Sequence, residues 1–346
     1  MQADVKSPQL GSRMQVVAIG GGTGLSTVLR GLKRYLPGIP RSAGPRARIS
    51  RLTAVVTVTD EGGSSGRLRR DFRILPPGDI RNCMVALAED EQLLTQLFNY
   101  RFSAGHGLRG HSFGNLFLAA LTHLTRDFAK AVRVSGEVLA IRGEIFPSTL
   151  SDVRLKAEQA NGNIIYGESH ITKTRVPIKR LHIVPSRCRP LLETLTALEH
   201  ADLITVGPGS LYTSLIPNLL VHGIPEQIAA SRALKVYICN LMTQPGESRG
   251  YSAADHVRAL HEHAGRTLFD AVILNTRPVS SRLRTRYAAQ GAAPVVNDLT
   301  EVLALGVAPI LMDVLVEEHV ARHDSDRLAK LLFGLARRGV ERSSSL

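Results

Sequence analysis

The chain has 346 residues, with 43 Lys and Arg against 30 Asp and Glu, 12 His, three Cys and no Trp. At about 150 residues per domain this allows about two domains or one large α/β unit. The 44% hydrophobic and 21% charged content excludes wholesale disorder and collagen-like or coiled-coil architecture, and Cys83, Cys188 and Cys239 are too widely spaced for a disulfide framework or a cysteine zinc site.

The net charge of +13 attracts polyanions but is only partly localised, in Arg41, Arg46, Arg48 and Arg51 and again in Arg327, Lys330, Arg337, Arg338 and Arg342. Soluble phosphate ligands are therefore favoured over nucleic acid. Residues 1–13 lack the apolar stretch of a secretory signal, and no apolar run reaches the ~18 residues of a membrane span, so a cytoplasmic location is expected. We read 1–13 as a flexible tail, 14–336 as a single α/β domain and 337–346 as a second flexible tail.

In chain order, an apolar strand over 15–19 runs into Gly20-Gly21-Gly22-Thr23-Gly24, after which Leu25, Val28, Leu29, Leu32 and Leu36 recur at helical spacing. Such a turn lets backbone approach a phosphate without interference from Cβ atoms. It is not a strict G-x-G-x-x-G, because Leu25 holds the last glycine position, so NAD stays open as a cofactor without being indicated. A basic loop, 37–51, leads to a strand of the fully buried type over 52–58. Asp60-Glu61-Gly62-Gly63-Ser64-Ser65-Gly66-Arg67 then reads as a polar loop. Asp60 suits ribose hydroxyls, a magnesium ion shared with substrate phosphates, or a plain turn cap. Arg67 offers a bidentate phosphate partner.

Helices are predicted over 79–88, 91–98 and 113–124. Asp79 caps the first after Pro77-Gly78, with Arg81 and Asn82 in its first turn, while Asn115 opens the third behind His111, which reads as a structural residue. Residues 134–184 turn β-rich, with strands 153–158 and 163–167 joined as a hairpin by Asn161-Gly162. Alternation resumes with helix 191–200, strands 203–206 and 236–240, helix 253–263, strand 271–275, helix 281–290, strand 294–296, helix 301–305 and strand 309–315. Gly207-Pro208-Gly209-Ser210 leaves strand 203–206 just before a helix start and forms a second anion cradle, within reach of Asn240 at the end of the next strand. Repeated alternation predicts a mostly parallel sheet covered on both faces, with an antiparallel hairpin insertion. Its polar turns converge at the carboxyl ends of the strands to hold a diphosphate.

Together, GGGTGLSTVLRGLK, VTVTDEGGSSGRLR, LPPGDIRNCMVALA, GHSFGNLFLAAL, GPGSLYTSLIPNLLV and YICNLMTQPGES resemble the YvcK-type gluconeogenesis factor family of the CofD-like superfamily. The likeness runs from Val16 to His323. It implies a Rossmann-like three-layer α/β/α core in a cytoplasmic bacterial protein. It also implies binding of UDP-sugars, notably UDP-N-acetylglucosamine, and a role in growth on gluconeogenic carbon, cell shape and cell-wall homeostasis. By motif, the implied nucleotide-sugar contacts are Gly20, Gly21, Gly22, Thr23, Gly24, Asp60, Gly62, Gly63, Ser64, Ser65, Gly66, Arg67, Asp79, Arg81, Asn82, Asn115, Gly207, Pro208, Gly209, Ser210 and Asn240, joined by Tyr287 in RTRYAAQG and Arg322 in VARHDS.

The alternatives are a magnesium-dependent phosphotransferase like the superfamily's namesake phospholactate transferase, with the metal on Asp60, and an NAD-binding oxidoreductase. No nucleophile–base pair is readable, so no enzyme class is assigned. The chain departs from the family at Glu61, where a second aspartate is usual, and in the long basic loop 37–51. A homo-oligomer and regulatory protein partners are left open.

Overall fold

The computed structural model describes residues 14–37, 49–89 and 91–343. The expected tail 1–13, positions 38–48 of the basic loop and residues 344–346 lie outside the described residues. β1 (Met14–Gly20) is buried at every position but Gln15, as a strand covered on both faces must be. It leads to α1 (Gly22–Lys33), whose Leu25, Val28, Leu29 and Leu32 bury one stripe, and then to β2 (Ile49–Val56). Five helices follow, α2 (Gly63–Phe72), α3 (Gly78–Leu87), α4 (Glu91–Asn99), α5 (Phe113–Thr125) and α6 (Phe128–Val138), before β3 (Glu144–Pro147).

β4 (Arg154–Gln159), β5 (Ile164–Tyr166) and β6 (Ile178–Val184) form a separate antiparallel sheet in the order β5-β4-β6, with the single turn α7 (Glu168–Ile171) between the last two. After α8 (Leu192–Glu199), β7 (Leu203–Val206) rejoins the main sheet. A π-helical turn, Leu211–Leu215, then opens into α9 (Ile216–Leu219). The chain continues through α10 (Ile224–Ala230), β8 (Leu234–Ile238), α11 (Ala253–Ala264), β9 (Ala271–Asn275), α12 (Ser281–Ala288), α13 (Leu299–Ala304) and β10 (Ala308–Met312). A small hairpin of β11 (Leu315–Glu317) and β12 (Ala321–His323) precedes the closing helix α14 (Ser325–Ser343).

Seven strands pair in parallel in the order β10-β9-β8-β7-β1-β2-β3, flanked by helices, so the expected α/β class and antiparallel insertion are both present. The order reverses at β1. From there the chain moves outward through β2 and β3, then returns to the other side of β1 with β7 and moves outward to β10. A reversal of this kind leaves a crevice beyond the carboxyl ends of the two central strands. Gly20 ends β1 and Gly207 follows β7, so both glycine turns flank that crevice.

Several boundaries differ from expectation. Residues 63–67 form the first turns of α2 and are not loop. The β-rich region is narrower than 134–184, because α6 takes in 134–138 and β3 belongs to the main sheet. Residues 294–296 make no strand, since Pro294 and Val296 form only isolated bridges, to Met242 and Ser252. Ile49 and Arg51, assigned to the basic loop, lie in β2, and Arg51 pairs with Glu144 at 2.7 Å. The closing helix continues through 337–343, where a flexible tail was expected.

Candidate functional site

The two glycine turns touch through their backbones. A Cβ on Gly24 would lie 2.1 Å from the carbonyl oxygen of Pro208, so only glycine allows this approach. Gly22, at φ +59°, starts α1 in a conformation that glycine adopts at little cost. On the β7 side, Asn240 lies two residues past β8 and clamps Gly209, accepting from its N–H (3.1 Å) and donating to its carbonyl (2.8 Å). Gln244 Nε2 donates to Ser210 Oγ at 2.8 Å.

Between the turns lies a cleft of about 290 Å³. Thr23, Gly24, Pro208, Gly209, Ser210 and Asn240 line it, and Tyr287 and Arg322 reach it from the far end of the sheet. The small hairpin carries Arg322 there. Tyr287 Oη accepts from Ala321 N (3.1 Å), and His323 Nε2 meets the carbonyl of Cys239 (3.1 Å). Burial pushes His323 down to about 4, so it stays neutral and donates that bond. Larger cavities beside Glu144 and around His222 touch neither glycine turn.

The expected anion cradle at Gly207 to Ser210 differs in one respect. The helix start that follows it presents few free donors, because the buried carboxylate of Glu247 accepts from Tyr212 N (2.7 Å), Thr213 N (3.1 Å) and Thr213 Oγ1 (2.9 Å). With Gly209 N taken by Asn240 and Gly22 N by Asp79, the open donors toward an anion are the remaining N–H groups in the first turn of α1 and the side chains of the cleft.

The other predicted residues form an adjoining group reached through Gly21, where a Cβ would sit 2.5 Å from Asp79 Oδ2. Asp79 accepts from the N–H of Gly22. Asp60 caps Gly62 N at 2.7 Å, and its other oxygen leaves no room for a Cβ on Gly78. Glu168, absent from the sequence reading, accepts from Glu61 N at 2.9 Å. Burial and then the charge of Asp60 push Asp79 up to about 7 and Glu168 up to about 8. Glu61 itself faces Gly167 and Arg69, so it ties α2 to the antiparallel insertion.

Ser65 accepts from Asn115 Nδ2 (3.2 Å), Ser64 pairs with His111 Nδ1 (2.9 Å), and Arg81 donates to Ser112 Oγ (2.8 Å) and Asn82 Oδ1 (2.7 Å). Gly66 sits against the carbonyl of Glu61, where a Cβ would come within 2.2 Å. Gly62, Gly63 and Arg67 complete this second group, and none of its members lines the cleft. Among the described residues, no three His, Cys, Asp or Glu side chains are grouped to hold a metal ion. Asp60 and Asp79 are two neighbouring carboxylates, the number that would suffice for a magnesium ion completed by phosphate and water. No helix among the described residues is long and apolar enough to cross a membrane.

The family model described as 2-phospho-L-lactate transferase CofD matches residues 16–315. A protein of Nostoc sp. is 52% identical over 321 residues, which are 92% of this chain and 68% of that one. The gluconeogenesis factor of Bacillus subtilis is 44% identical over 94% of this chain and 99% of its own length. The crystal structure of a UPF0052-family protein from Bacillus halodurans superposes with a TM-score of 0.86 at 44% identity, covering 93% of this chain and 99% of that chain.

Proposed function

The chain belongs to the CofD family, among relatives named gluconeogenesis factors, and on that premise we propose that it binds a nucleotide diphosphate sugar of the UDP-N-acetylglucosamine type between the β1 and β7 turns. Binding would serve a cytoplasmic regulatory role in gluconeogenic growth, cell shape and wall homeostasis. The observation that carries the reading is the backbone contact of Gly24 with Pro208, which joins two glycine turns at the switch point of the sheet. The donors opening α1 face the diphosphate, Asn240 and Ser210 hold sugar or ribose hydroxyls, and Arg322 offsets charge at the far end.

Calorimetric titration with UDP-N-acetylglucosamine, UDP and NAD tests this. The two uridine nucleotides bind and NAD does not. Asn240→Ala weakens the nucleotide sugar about tenfold, the worth of roughly one or two hydrogen bonds, because Gly209 loses its clamp. A parent protein that ignores the nucleotide sugar removes the proposal.

A second reading, magnesium-dependent phosphoryl transfer, is favoured by one observation: Asp60 lies close enough to Asp79 for its charge to raise the proton affinity of Asp79, an effect that a cation between them would reverse. When bound, magnesium would neutralise charge on the transferring phosphate. Asp60 and Asp79 would hold it, and α1 would orient the phosphate beside them.

The same carboxylates predict a pH dependence. Asp79 has its folded-state pKa raised, so between about pH 4 and 7 the folded chain holds a proton that the unfolded chain has lost. Stability therefore falls as pH rises through that window, by about 4 kcal/mol for a shift of about three units. Above pH 7 the ionised carboxylate repels a phosphate at Gly22. In metal-free buffer, affinity for the nucleotide sugar drops about tenfold from pH 6 to pH 8, and Asp79→Asn flattens the profile. Added magnesium reverses the slope if the metal reading holds. A flat profile in the parent rejects Asp79 as the titrating group.

A further inference from the structure

Residues 100–112 fold back on themselves as a hairpin-like loop, with Phe102 N donating to His111 O (3.0 Å) and Gly110 N to Phe102 O (2.7 Å). This brings three guanidinium groups from separate segments around Gly110 and Ser112. Arg101 Nη1 donates to the carbonyl of Gly110 at 2.5 Å. Arg67, on α2, lies so near Gly110 that a Cβ there would sit 3.0 Å from its Nη2. Arg81, on α3, donates to Ser112 Oγ at 2.8 Å, and its stem lies against Gly114, where a Cβ would come 2.8 Å from Arg81 Cδ.

Among the described residues, none of the three has a carboxylate within the 4.0 Å of an ion pair, whereas the buried Arg69 on α2 pairs with Asp152 and Glu61. Arg81 Nε is buried with no hydrogen-bond partner. A buried donor without an acceptor is costly, and like charges gathered with no carboxylate at ion-pair distance repel, Arg101 acting against Arg81 while Asp60 and Asp79 offset part of that from farther off. Natural folds hold such clusters together when a bound anion completes them.

We infer that Arg67, Arg81 and Arg101 form a second anion subsite, separate from the nucleotide-sugar cleft, that takes the phosphate group of another ligand. Three cations match a phosphate dianion better than a single carboxylate, and the planar forks of arginine suit its oxygens. Asp79 precedes Arg81 by two residues on α3 and abuts Gly21, so the carboxylates stand between the two subsites. A phosphorylated second ligand would thus approach the nucleotide sugar across Asp60 and Asp79. This goes beyond the proposed nucleotide-sugar binding and does not depend on it. Arg67 and Arg81, which the sequence reading gave to the diphosphate, are reassigned to the second ligand.

The test uses the full chain, with inorganic phosphate and glycerol phosphate as probes, followed by calorimetry and by imidazole NMR of His111. Burial, with Arg67 and Arg101 nearby, holds His111 below its ordinary value, so a bound dianion moves its titration upward. Both probes bind with UDP-N-acetylglucosamine already saturating. The exposed-site variant Arg101→Gln weakens them at least fivefold and leaves the nucleotide-sugar affinity unchanged. Displacement of phosphate by the nucleotide sugar in the parent overturns the inference, as does undiminished phosphate binding in Arg101→Gln or a His111 titration that phosphate does not move. If phosphate binds and the nucleotide sugar does not, the subsite stands and only the proposed function fails.

Discussion

Gly24→Ala is expected to weaken nucleotide-sugar binding by at least about a hundredfold and to cost about 3 kcal/mol of stability, the upper range for overpacking at a tight backbone contact. The added methyl would meet the Pro208 carbonyl oxygen at 2.1 Å and its carbon at 2.7 Å. These are backbone atoms of a turn clamped by Asn240, so no side-chain rotation relieves the overlap, and the turns must separate. Separation widens the cleft that holds the ligand.

Gly20→Ala, four residues earlier in the same motif, provides the contrast. Its Cβ would meet Leu215 Cδ2 and Leu25 Cβ at 3.5 Å, ordinary contact distances, in an extended strand end where alanine is tolerated. Binding and stability close to the parent are expected there. Isothermal titration and urea unfolding of both variants check the pair. Equal behaviour would mean that the glycines serve the turn's conformation and not the meeting of two turns.

That meeting was legible in the sequence, because each glycine cluster directly follows a short apolar strand and each strand is buried on both faces. In a parallel sheet, strand ends and the turns after them collect at one edge whatever lies between them in the chain. Tyr287 and Arg322 were a different matter. Nothing in their local sequence marks them. The resemblance named them, and the geometry brings them to the cleft through the β11–β12 hairpin and the Tyr287 bond to Ala321.

Helix α2 was misread for a physical reason. Gly63-Ser64-Ser65-Gly66 has poor intrinsic helix propensity, yet Gly66 must be small to rest on the Glu61 carbonyl, and Arg69 is buried through its bond to the carbonyl of Val153 (2.6 Å). Tertiary packing outweighs propensity there. Helix α6 did carry a local signal, since Asp127 caps Lys130 N and Phe128, Ala131, Val132 and Ser135 bury one face. The β-rich segment that follows obscured it. Glu168 and Glu247 belong to a third class. Their partners lie 107 and about 35 residues away, and no spacing rule connects a carboxylate to a backbone N–H across such separations.

Glu247 gives the second large prediction. Its carboxylate is 4% exposed and accepts three hydrogen bonds at the start of the π-helical turn, which also ties to the segment after β2 through Thr59 Oγ1 and the carbonyl of Thr213 (3.1 Å). Burial pushes its carboxyl up, while the hydrogen bonds from Thr213 and Tyr212 oppose the rise. Glu247→Ala leaves two backbone N–H groups and a hydroxyl buried without acceptors, a loss of about 3–5 kcal/mol. Glu247→Gln keeps an acceptor for the two N–H groups and lets the Thr213 hydroxyl reverse its role, so only the charge contribution is lost, about 1–2 kcal/mol.

Urea unfolding should rank the parent above Gln and Gln well above Ala. Nucleotide-sugar affinity should fall in the same order, because the turn from Gly207 to Ser210 rests on this helix start. An alanine variant within 1 kcal/mol of the parent would mean that water replaces the carboxylate at no cost. It would also mean that the helix start holds itself in place without the side chain that caps it.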